Sequence, residues 1–428
     1  MVSPVYTWVA MKNTAELRLY YQDKCYSWDD LVQRSSCFST DKIPQIISVP
    51  AQKRFFTALA LLYGLTEYKT ILTLGTDYSD TQRQDLLRQL NCECPDELIH
   101  GENSLPLLAV ATSGSQAAPK IALISRDNIL SHCYNFNKII PMQETSLWLN
   151  CLPMNHIAGI MILYRCWFNK AIMLLHDAYE VKQIWHDLHA YPVTHISLVP
   201  IMLLQLLEHS RDALPPKNLR YVIVGGDKLS DSLYQRALSA GWPIYISYGM
   251  TEATSTVAIG QTPESLELLP GFEAQISEKG LLKLKGSMII SAYADFEPAI
   301  DADHWYESTD KAAMNASYLT ILGRNDHMII SGGENIAPEY IEDKLSDSPY
   351  VNDVAVGTAL HPDWGNSIVA VVCGNIKDLQ QWVKDNIKTS SRPHYYLEAT
   401  RIPRNQLGKI NRIKLLQMIC DAKLIKHD

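Results

Sequence analysis

Long hydrophobic runs are missing from this sequence. The longest one, FFTALALLYGL at residues 55–65, is shorter than the roughly 20 apolar residues that a membrane-spanning helix needs, and it predicts a buried helix instead. The N-terminus has neither the basic start nor the continuous apolar segment of a secretory signal. We therefore expect a cytoplasmic protein without a membrane span.

An excess of positive charge is also missing. Lys and Arg together number 38 against 46 Asp and Glu, which gives a formal net charge of -8. Such a chain has no general attraction for polyanions, so its charge does not indicate nucleic-acid binding. A small molecule is the expected partner, and the sequence leaves a homodimer open.

The nine cysteines do not form a disulfide or zinc pattern. Their number is odd, and only Cys92 and Cys94 lie close together, with no second cluster at zinc-ligand spacing. We expect reduced thiols, in agreement with a cytoplasmic location. No fixed-period repeat occurs either, which argues against a solenoid.

Strand-like and helix-like segments alternate over most of the chain. KIPQIISVP at residues 42–50, THISLVP at 194–200 and LRYVIVGG at 219–226 each read as a strand that leads into a helix, a pattern that predicts βαβ units and parallel sheets. From about residue 270 the alternation shortens, and Glu278-Lys279-Gly280 predicts a hairpin turn.

These patterns predict an α/β protein of two domains. The first, residues 1–325, would hold stacked and mostly parallel sheets with helices, plus a small β-barrel-like subdomain at about 270–325. The second, residues 326–428, would be a small α+β domain, because two helix patterns and two strand patterns follow residue 326.

A loop between two apolar runs is the first candidate for function. In LLAVATSGSQAAPKIALIS, residues 107–125, small hydroxyl residues, Gly114 and Lys120 stand between strand-like segments. A surface turn and a phosphate-binding loop both fit this stretch. A Walker motif is excluded, since no second Gly precedes Lys120 and no hydroxyl follows it. An amidase-type serine nucleophile fits only loosely.

Three further segments add chemistry to this loop. SYGMTEA at 247–253 offers an aromatic ring, a hydroxyl and the carboxylate of Glu252, which could ligate Mg²⁺. WYESTDKAAM at 305–314 contains Asp310, and RIPRNQLGKINR at 401–412 contains Lys409. Taken alone, Glu252 would be an ordinary solvated carboxylate, Asp310 a turn residue and Lys409 a surface lysine. Their order along the chain is not ordinary.

Here the chain resembles the adenylate-forming superfamily of acyl-CoA synthetases, peptide-synthetase adenylation domains and luciferases. The matching segments are 112–120, 152–159, 225–226, 247–252, 310, 323–339 and 403–412, and the most specific is GRNDHMIISGGENIAPEYIE. Within the family, the short chain and LPMNHIAGIMILYRCW at 152–167 are most similar to o-succinylbenzoate–CoA ligases of menaquinone biosynthesis.

The resemblance implies an AMP-forming acid–thiol ligase that works through an acyl-adenylate and uses ATP, Mg²⁺ and coenzyme A. It also implies that the C-terminal domain is mobile, with Asp326 as the hinge. The implied nucleotide-binding residues are Thr112, Ser113, Gly114, Ser115, Lys120, Gly225, Gly226, Tyr248, Gly249, Thr251, Asp310 and Arg324.

The remaining implied roles concern the metal, the acid and the thiol. Glu252 would ligate Mg²⁺. The implied acyl-site residues are His156, Arg165, Gly226 and Gly249; the catalytic residues are Lys409, Glu252, Thr251 and His156; and the CoA tunnel is lined by Ser331, Gly332, Gly333 and Glu334. His156 could instead be a core histidine, and Arg165 a solvated helix arginine.

Three alternatives to the o-succinylbenzoate–CoA ligase stay open on the sequence. The enzyme could activate another aryl or fatty acid, or it could load a carrier-protein thiol in place of CoA. The chain could also be a nucleotide-binding homologue that has lost turnover. The last alternative is based on Gln116 and Ala117, which replace a Thr and a Gly of the family's phosphate loop.

Overall fold

The computed structural model describes most of the chain. The described residues are 17–22, 24–35, 46–50, 54–67, 69–74, 80–89, 106–112, 120–295, 297–315, 318–331, 334–361, 365–405, 408–422 and 425–426. No helix within these ranges is both long and apolar enough to cross a membrane.

The strands are numbered in chain order. They are β1 (Leu17–Tyr21), β2 (Lys24–Ser27), β3 (Ile46–Pro50), β4 (Thr70–Leu74), β5 (Pro106–Ala111), β6 (Ile121–Ser125), β7 (Leu147–Asn150), β8 (Ile172–Leu175), β9 (His195–Leu198), β10 (Tyr221–Gly225), β11 (Ile244–Met250), β12 (Ser255–Gly260), β13 (Leu266–Leu268), β14 (Glu273–Ile276), β15 (Leu281–Lys285), β16 (Tyr306–Asn315), β17 (Tyr318–Arg324), β18 (Ile329–Ser331), β19 (Glu334–Ile336), β20 (Val351–His361), β21 (Gly365–Gly374), β22 (Tyr395–Glu398) and β23 (Ile425–Lys426).

The α-helices are numbered in the same way. They are α1 (Trp28–Ser35), α2 (Arg54–Glu67), α3 (Asp80–Gln89), α4 (Arg126–Ile139), α5 (Ile157–Phe168), α6 (Val181–Ala190), α7 (Pro200–Ser210), α8 (Asp231–Ser239), α9 (Pro338–Ser346), α10 (Ile376–Asn386) and α11 (Arg412–Cys420); short 3₁₀ helices cover Thr251–Ala253, Asn325–His327 and Thr389–Ser391.

The largest sheet among the described residues has 13 strands in the order β14-β15-β16-β17-β13-β12-β11-β10-β9-β7-β8-β1-β2. Its centre, from β11 to β1, is parallel. The central strands β7, β8 and β9 are buried at every residue, because helices cover both faces of a parallel sheet. The carboxyl ends of β10 and β11 therefore meet at one edge, where ligands bind in open α/β sheets.

A second sheet has the order β3-β4-β5-β6, with β3, β4 and β5 parallel and β6 antiparallel. The predicted buried helix follows β3 as α2, which is buried along most of its length. The loop that motivated the functional hypothesis connects β5 to β6. Strands β14 to β17 form the predicted antiparallel region, with Gly280 at a φ of 75° in the β14–β15 turn.

A third sheet holds β18 to β23 and packs against α9, α10 and α11. Two apolar clusters form the cores on its two faces, one around Ile341 and Leu379 and the other around Leu415. The chain passes from the large sheet to this one through Asn325–His327. The mixed α/β fold predicted from the sequence is confirmed. Helix α8 is capped by Ser230, whose hydroxyl accepts from the Leu233 N–H.

Candidate active site

The two ends of the β5–β6 loop are held together by hydrogen bonds. The Thr112 N–H donates to the Lys120 carbonyl at 2.8 Å, and the Thr112 hydroxyl donates to the same oxygen at 3.2 Å. Residues 113–119, with the predicted Ser113, Gly114 and Ser115, lie outside the described residues. Their phosphate contacts remain a prediction.

Two glycines shape the end of β10. A Cβ on Gly225 would lie 2.6 Å from the Ser247 carbonyl oxygen of β11, so only glycine permits this close approach of two strands. Gly226 has a φ of 85°, a conformation that side chains with a Cβ avoid. The chain therefore turns sharply at the sheet edge, beside Val199 and Lys409.

Tyr248 and Asp310 meet at this edge. The Tyr248 hydroxyl donates to Asp310 Oδ2 at 2.6 Å, which joins β11 to β16. Burial and the neighbouring Asp310 carboxylate raise the pKa of Tyr248, so the phenol stays protonated and keeps donating. A bulge in the β11–β12 pairing at Tyr248 and Gly249 sets the direction of the ring.

Arg324 lies beside Asp310, because the two residues are paired across β16 and β17. Its guanidinium donates to both oxygens of Asp326 at 2.9 Å and to the Thr309 hydroxyl at 3.0 Å. The family pattern usually has a glycine where Thr309 stands. In this chain the threonine side chain supplies an acceptor that helps to orient Arg324.

Glu252 lies in the 3₁₀ helix Thr251–Ala253, at the end of β11. Burial raises the pKa of its carboxyl group, and the Tyr293 hydroxyl donates to Glu252 Oε1 at 3.4 Å. A buried carboxylate next to a phosphate site fits Mg²⁺, which is usually held by one or two carboxylates together with substrate phosphates.

Lys409 reaches this edge from the C-terminal part of the chain. A Cβ on Gly226 would lie 3.8 Å from Lys409 Cε, and the preceding Gly408, at a φ of 73°, packs closely on Ile201 of α7. Burial lowers the pKa of Lys409; Asp227 and Asp310 act in the opposite direction, and Arg324 lowers it further. The structure thus brings Lys409, Gly226 and Asp310 together.

Arg165 is buried inside the α/β body. Only 3% of its surface is exposed, so the alternative of a solvated helix arginine is wrong. Its guanidinium donates to the hydroxyls of Ser255 and Thr256 at 3.3 Å and lies 3.8 Å from the centre of the Phe136 ring. Burial lowers the pKa of Arg165 to about 10, and within the described ranges no carboxylate is paired with it.

The hydroxyls around Arg165 connect it to the strand that carries Tyr248. Thr256 Oγ1 lies 3.2 Å from Ser247 Oγ on β11. His156, at the N-terminal end of α5, is partly buried, and its Nε2 lies 3.3 Å from Asn155 Nδ2. His156 caps the N-terminal end of the helix that carries Arg165, so α5 connects the two predicted acyl-site residues.

The predicted CoA-tunnel residues belong to the third sheet. Ser331 and Glu334 are paired across β18 and β19, and Ser331 is also paired with Gly365 of β21. Gly332 and Gly333 lie outside the described residues. The role of this hairpin remains a prediction.

The sequence analysis missed Tyr293, Glu297 and the Ser255–Thr256 pair. Lys120 donates to Glu297 Oε2 at 2.7 Å, and its Nζ lies 5.0 Å from the centre of the Tyr293 ring. These contacts join segments that are distant in the sequence, and no local motif signals them. Only Thr254 separates the Ser255–Thr256 pair from the SYGMTEA segment, so its proximity to the site could have been found.

Comparison with known proteins identifies relatives over most of the chain. A family model described as AMP-binding enzyme matches residues 102–276, and the model of the AMP-binding enzyme C-terminal domain matches residues 340–409. A 2-succinylbenzoate–CoA ligase of Salmonella typhimurium is 30% identical over 320 residues, which cover 72% of this chain and 68% of the relative. The ligase of the same name from Lactococcus lactis is 28% identical and covers 76% of this chain and 72% of the relative.

Solved structures agree with the fold. The o-succinylbenzoate CoA synthetase (MenE) of Bacillus subtilis, in complex with the acyl-adenylate intermediate OSB-AMP, matches with a TM-score of 0.84 at 22% identity, over 100% of this chain and 99% of that one. ATP-bound MatB from Rhodopseudomonas palustris matches with a TM-score of 0.83 at 17% identity, over 98% of each chain. The resemblance found in the sequence is confirmed.

Proposed function

The chain belongs to the AMP-binding enzyme family, and from this premise we propose that it is an ATP-dependent o-succinylbenzoate–CoA ligase. It forms an acyl-adenylate and then transfers the acyl group to the thiol of coenzyme A. The observation that carries the proposal is the meeting of Lys409, Gly226 and Asp310 at the sheet edge, with the buried Arg165 in the neighbouring core, which has no carboxylate partner among the described residues. The location of the protein in the cytoplasm and its place in menaquinone biosynthesis are part of the proposal.

The chemistry requires a leaving group. A carboxylate resists attack by a thiol because its oxygen leaves poorly, whereas AMP is a good leaving group. When a carboxylate oxygen of the acid attacks the α-phosphorus of ATP, the bond to the β-phosphate breaks, pyrophosphate leaves and the acyl-adenylate forms. Negative charge grows on the phosphate oxygens in this step. Lys409, held at the sheet edge by Gly408 and Ile201, supplies a positive charge for this transition state. Such groups act by positioning and electrostatics.

The nucleotide site is formed by β11, β16 and the turns beside them. Tyr248 stacks on the adenine. Asp310, oriented by the Tyr248 hydroxyl, accepts hydrogen bonds from the ribose hydroxyls, and Arg324 assists as a hydrogen-bond donor. Thr251 contacts the α-phosphate, and Thr112 and Lys120 hold the ends of the phosphate loop. Glu252 holds Mg²⁺, which neutralises phosphate charge when it is bound.

Arg165 supports the choice of acid. A buried cation without a carboxylate partner is costly, and a substrate with a second carboxylate supplies that partner on binding. The acid o-succinylbenzoate has two carboxylates, one to be activated and one to pair with Arg165. A fatty acid offers no such group. The curated relatives named as 2-succinylbenzoate–CoA ligases favour the same acid.

The second half-reaction requires a different arrangement of the C-terminal domain. Residues 1–325 and 326–428 are the two domains of this proposal, and Asp326, which pairs with Arg324, is the hinge. Rotation about it withdraws Lys409 and brings the β18–β19 hairpin, with Ser331 and Glu334, to the thiol tunnel. Hinges of this kind concentrate the motion in a few backbone torsions.

The test compares two acids that differ by one carboxylate. With o-succinylbenzoate and with 4-oxo-4-phenylbutanoate, which lacks the ring carboxylate, CoA thioester formation is measured for the wild type and for Arg165→Leu. We expect the wild type to prefer o-succinylbenzoate by about 10- to 100-fold in kcat/KM, the range of a charge-assisted hydrogen bond. The Arg165→Leu variant should lose most of this preference.

Two results would contradict the assignment. A wild type that uses both acids equally well would remove Arg165 from substrate recognition. A variant that keeps the full preference would do the same. The first result would also remove the choice of acid, whereas the second would remove only the role of Arg165; the ligase chemistry would stand in both cases.

A further inference from the structure

A segment of the β-rich region runs between the phosphate loop and the metal-binding helix. Residues 290–295, the bridging segment, are bonded to both. The Ala294 N–H donates to the Ile121 carbonyl at 2.8 Å, just beyond the β5–β6 loop, and the Ile290 N–H donates to the Glu252 carbonyl at 2.9 Å. Backbone bonds thus fix the position of the segment relative to both parts of the site.

Tyr293 is the residue of the bridging segment that contacts functional side chains on both sides. Its hydroxyl donates to Glu252 Oε1 at 3.4 Å, and the face of its ring lies 5.0 Å from Lys120 Nζ. Burial and the neighbouring Glu252 carboxylate raise the pKa of Tyr293, so its hydroxyl stays protonated and keeps donating.

Glu297 completes the arrangement on the lysine side. Its Oε2 accepts from Lys120 Nζ at 2.7 Å, and its backbone carbonyl accepts from the Tyr293 N–H at 3.1 Å. The ammonium group of Lys120 is therefore held between a carboxylate and an aromatic face, both of which belong to or adjoin the bridging segment.

We propose that Tyr293 is a positioning residue that fixes the Glu252 carboxylate for Mg²⁺ and couples it to Lys120 at the end of the phosphate loop. The inference rests on the proposed function, in which Glu252 binds the metal. The tyrosine hydroxyl donates to Oε1 of Glu252, which would leave the other carboxylate oxygen to hold the metal. Outer partners of this kind orient metal-binding carboxylates.

The contact with Lys120 gives Tyr293 its second role. The ring attracts the ammonium group through its negative face, and this attraction persists when ATP phosphates replace Glu297 as the charged partner. The metal-binding carboxylate and the phosphate-loop lysine are then positioned by one side chain. The Tyr293→Phe variant separates these roles, because it keeps the ring and removes only the hydroxyl.

The test is metal binding rather than turnover. Mn²⁺, which serves as a paramagnetic probe for the Mg²⁺ site, is titrated into the full-length protein saturated with α,β-methylene-ATP, and free Mn²⁺ is followed by electron paramagnetic resonance. We expect the Mn²⁺ Kd of Tyr293→Phe to rise by about 10-fold, the lower end of the effect of removing an outer partner. The nucleotide Kd without metal should stay within about twofold of the wild type, because the ring is retained.

A matched control is available on β17. Tyr318 is exposed, so Tyr318→Phe removes the same hydroxyl away from any buried carboxylate and should leave the Mn²⁺ Kd unchanged. In pyrophosphate exchange, Tyr293→Phe should need about 10-fold more Mg²⁺ for half-maximal rate, with the rate restored at saturating Mg²⁺.

Three outcomes would overturn the inference. Equal Mn²⁺ affinity in Tyr293→Phe and the wild type would remove Tyr293 from metal positioning. If Tyr293→Phe lost metal-free nucleotide affinity by the same factor as Mn²⁺ affinity, the role of Tyr293 would be purely structural. If the wild type bound no Mn²⁺ in the presence of nucleotide, the proposed function would be overturned as well. The other two results would leave the proposed function intact.

Discussion

Lys409 owes its place to two glycines, one on each side of the contact between the domains. Gly408, at a φ of 73°, turns the loop so that it packs on Ile201, and Gly226 leaves room for the lysine side chain. Asp227 and Asp310 provide negative charge nearby. At the scale of single residues, the site is a buried cation beside two carboxylates, next to the proposed position of the α-phosphate.

Replacing this cation should separate the two half-reactions. We expect Lys409→Ala to slow adenylate formation by about 10²–10³-fold, the typical loss of one preorganised electrostatic group. Thioester formation from preformed acyl-adenylate should change far less, since Lys409 is withdrawn in that step. Single-turnover measurements of each step test this. Adenylate formation at the wild-type rate would contradict the assigned role.

The pH dependence of the first step follows from the same residue. Burial lowers the pKa of Lys409, and only the protonated amine stabilises the transition state. The rate should therefore decline as the pH rises. This decline should begin at a pH lower than the ordinary lysine pKa of about 10.4. Lys409→Arg should move this alkaline limb to higher pH, because arginine stays charged. A limb that does not move would show that another group titrates.

Glycines decide the geometry at the scale of strands and turns. A Cβ on Gly249 would lie 2.0 Å from the Ser255 carbonyl oxygen, so β11 and β12 would have to separate. A Cβ on Gly280, in the β14–β15 turn, has nothing within 4 Å. Gly249 is thus packed against the backbone of β12, whereas Gly280 faces open space.

This difference predicts unequal losses of stability. Gly280→Ala should cost only about 1 kcal/mol, the strain of an L-residue at positive φ. Gly249→Ala should cost more than that and lower the melting temperature by several degrees further, because a backbone clash cannot relax through a rotamer change. Thermal unfolding of both variants, with AMP absent, tests the comparison. Equal melting temperatures would contradict it.

The element scale also shows what a sequence can predict. Helix α5 reads IAGIMILYRCWF, and a helix that is apolar all round is buried, so burial of Arg165 was readable from its neighbours. Its partners were not, because Ser255 and Thr256 reach it across the sheet. The partners of Tyr293 could not be read from the sequence either, because they come from β6 and from the 3₁₀ helix Thr251–Ala253. Strand, helix and cap patterns are local, whereas these contacts depend on tertiary pairing.

The domain arrangement is the feature of the whole molecule that bears on turnover. Lys228, two residues after Gly226, donates to Asp343 of α9 at 2.9 Å. The carboxylate of Asp343 is 7% exposed and the Lys228 side chain 47% exposed. Solvent at the lysine therefore weakens the attraction between the two charges. The proposed rotation about Asp326 would have to break this contact.

Removing the pair should shift the balance between the two half-reactions. An ion pair with an exposed partner is worth about 0.2–1 kcal/mol. Asp343→Asn should accordingly speed thioester formation up to about fivefold, while adenylate formation slows by no more than the same factor. Asp385→Asn, an exposed residue of α10, is the control and should change neither rate. Slower thioester formation in Asp343→Asn would contradict this account of the rotation.

The central claim is that the chain activates o-succinylbenzoate through an acyl-adenylate. ATP–pyrophosphate exchange with Mg²⁺, measured across o-succinylbenzoate, benzoates, cinnamates and medium-chain fatty acids, tests it most directly. The account predicts exchange with o-succinylbenzoate above all, and conversion to the thioester when CoA is added. Exchange with a different acid would contradict the substrate. No exchange with any acid, despite measurable ATP binding, would contradict the ligase activity and favour a nucleotide-binding protein that has lost turnover.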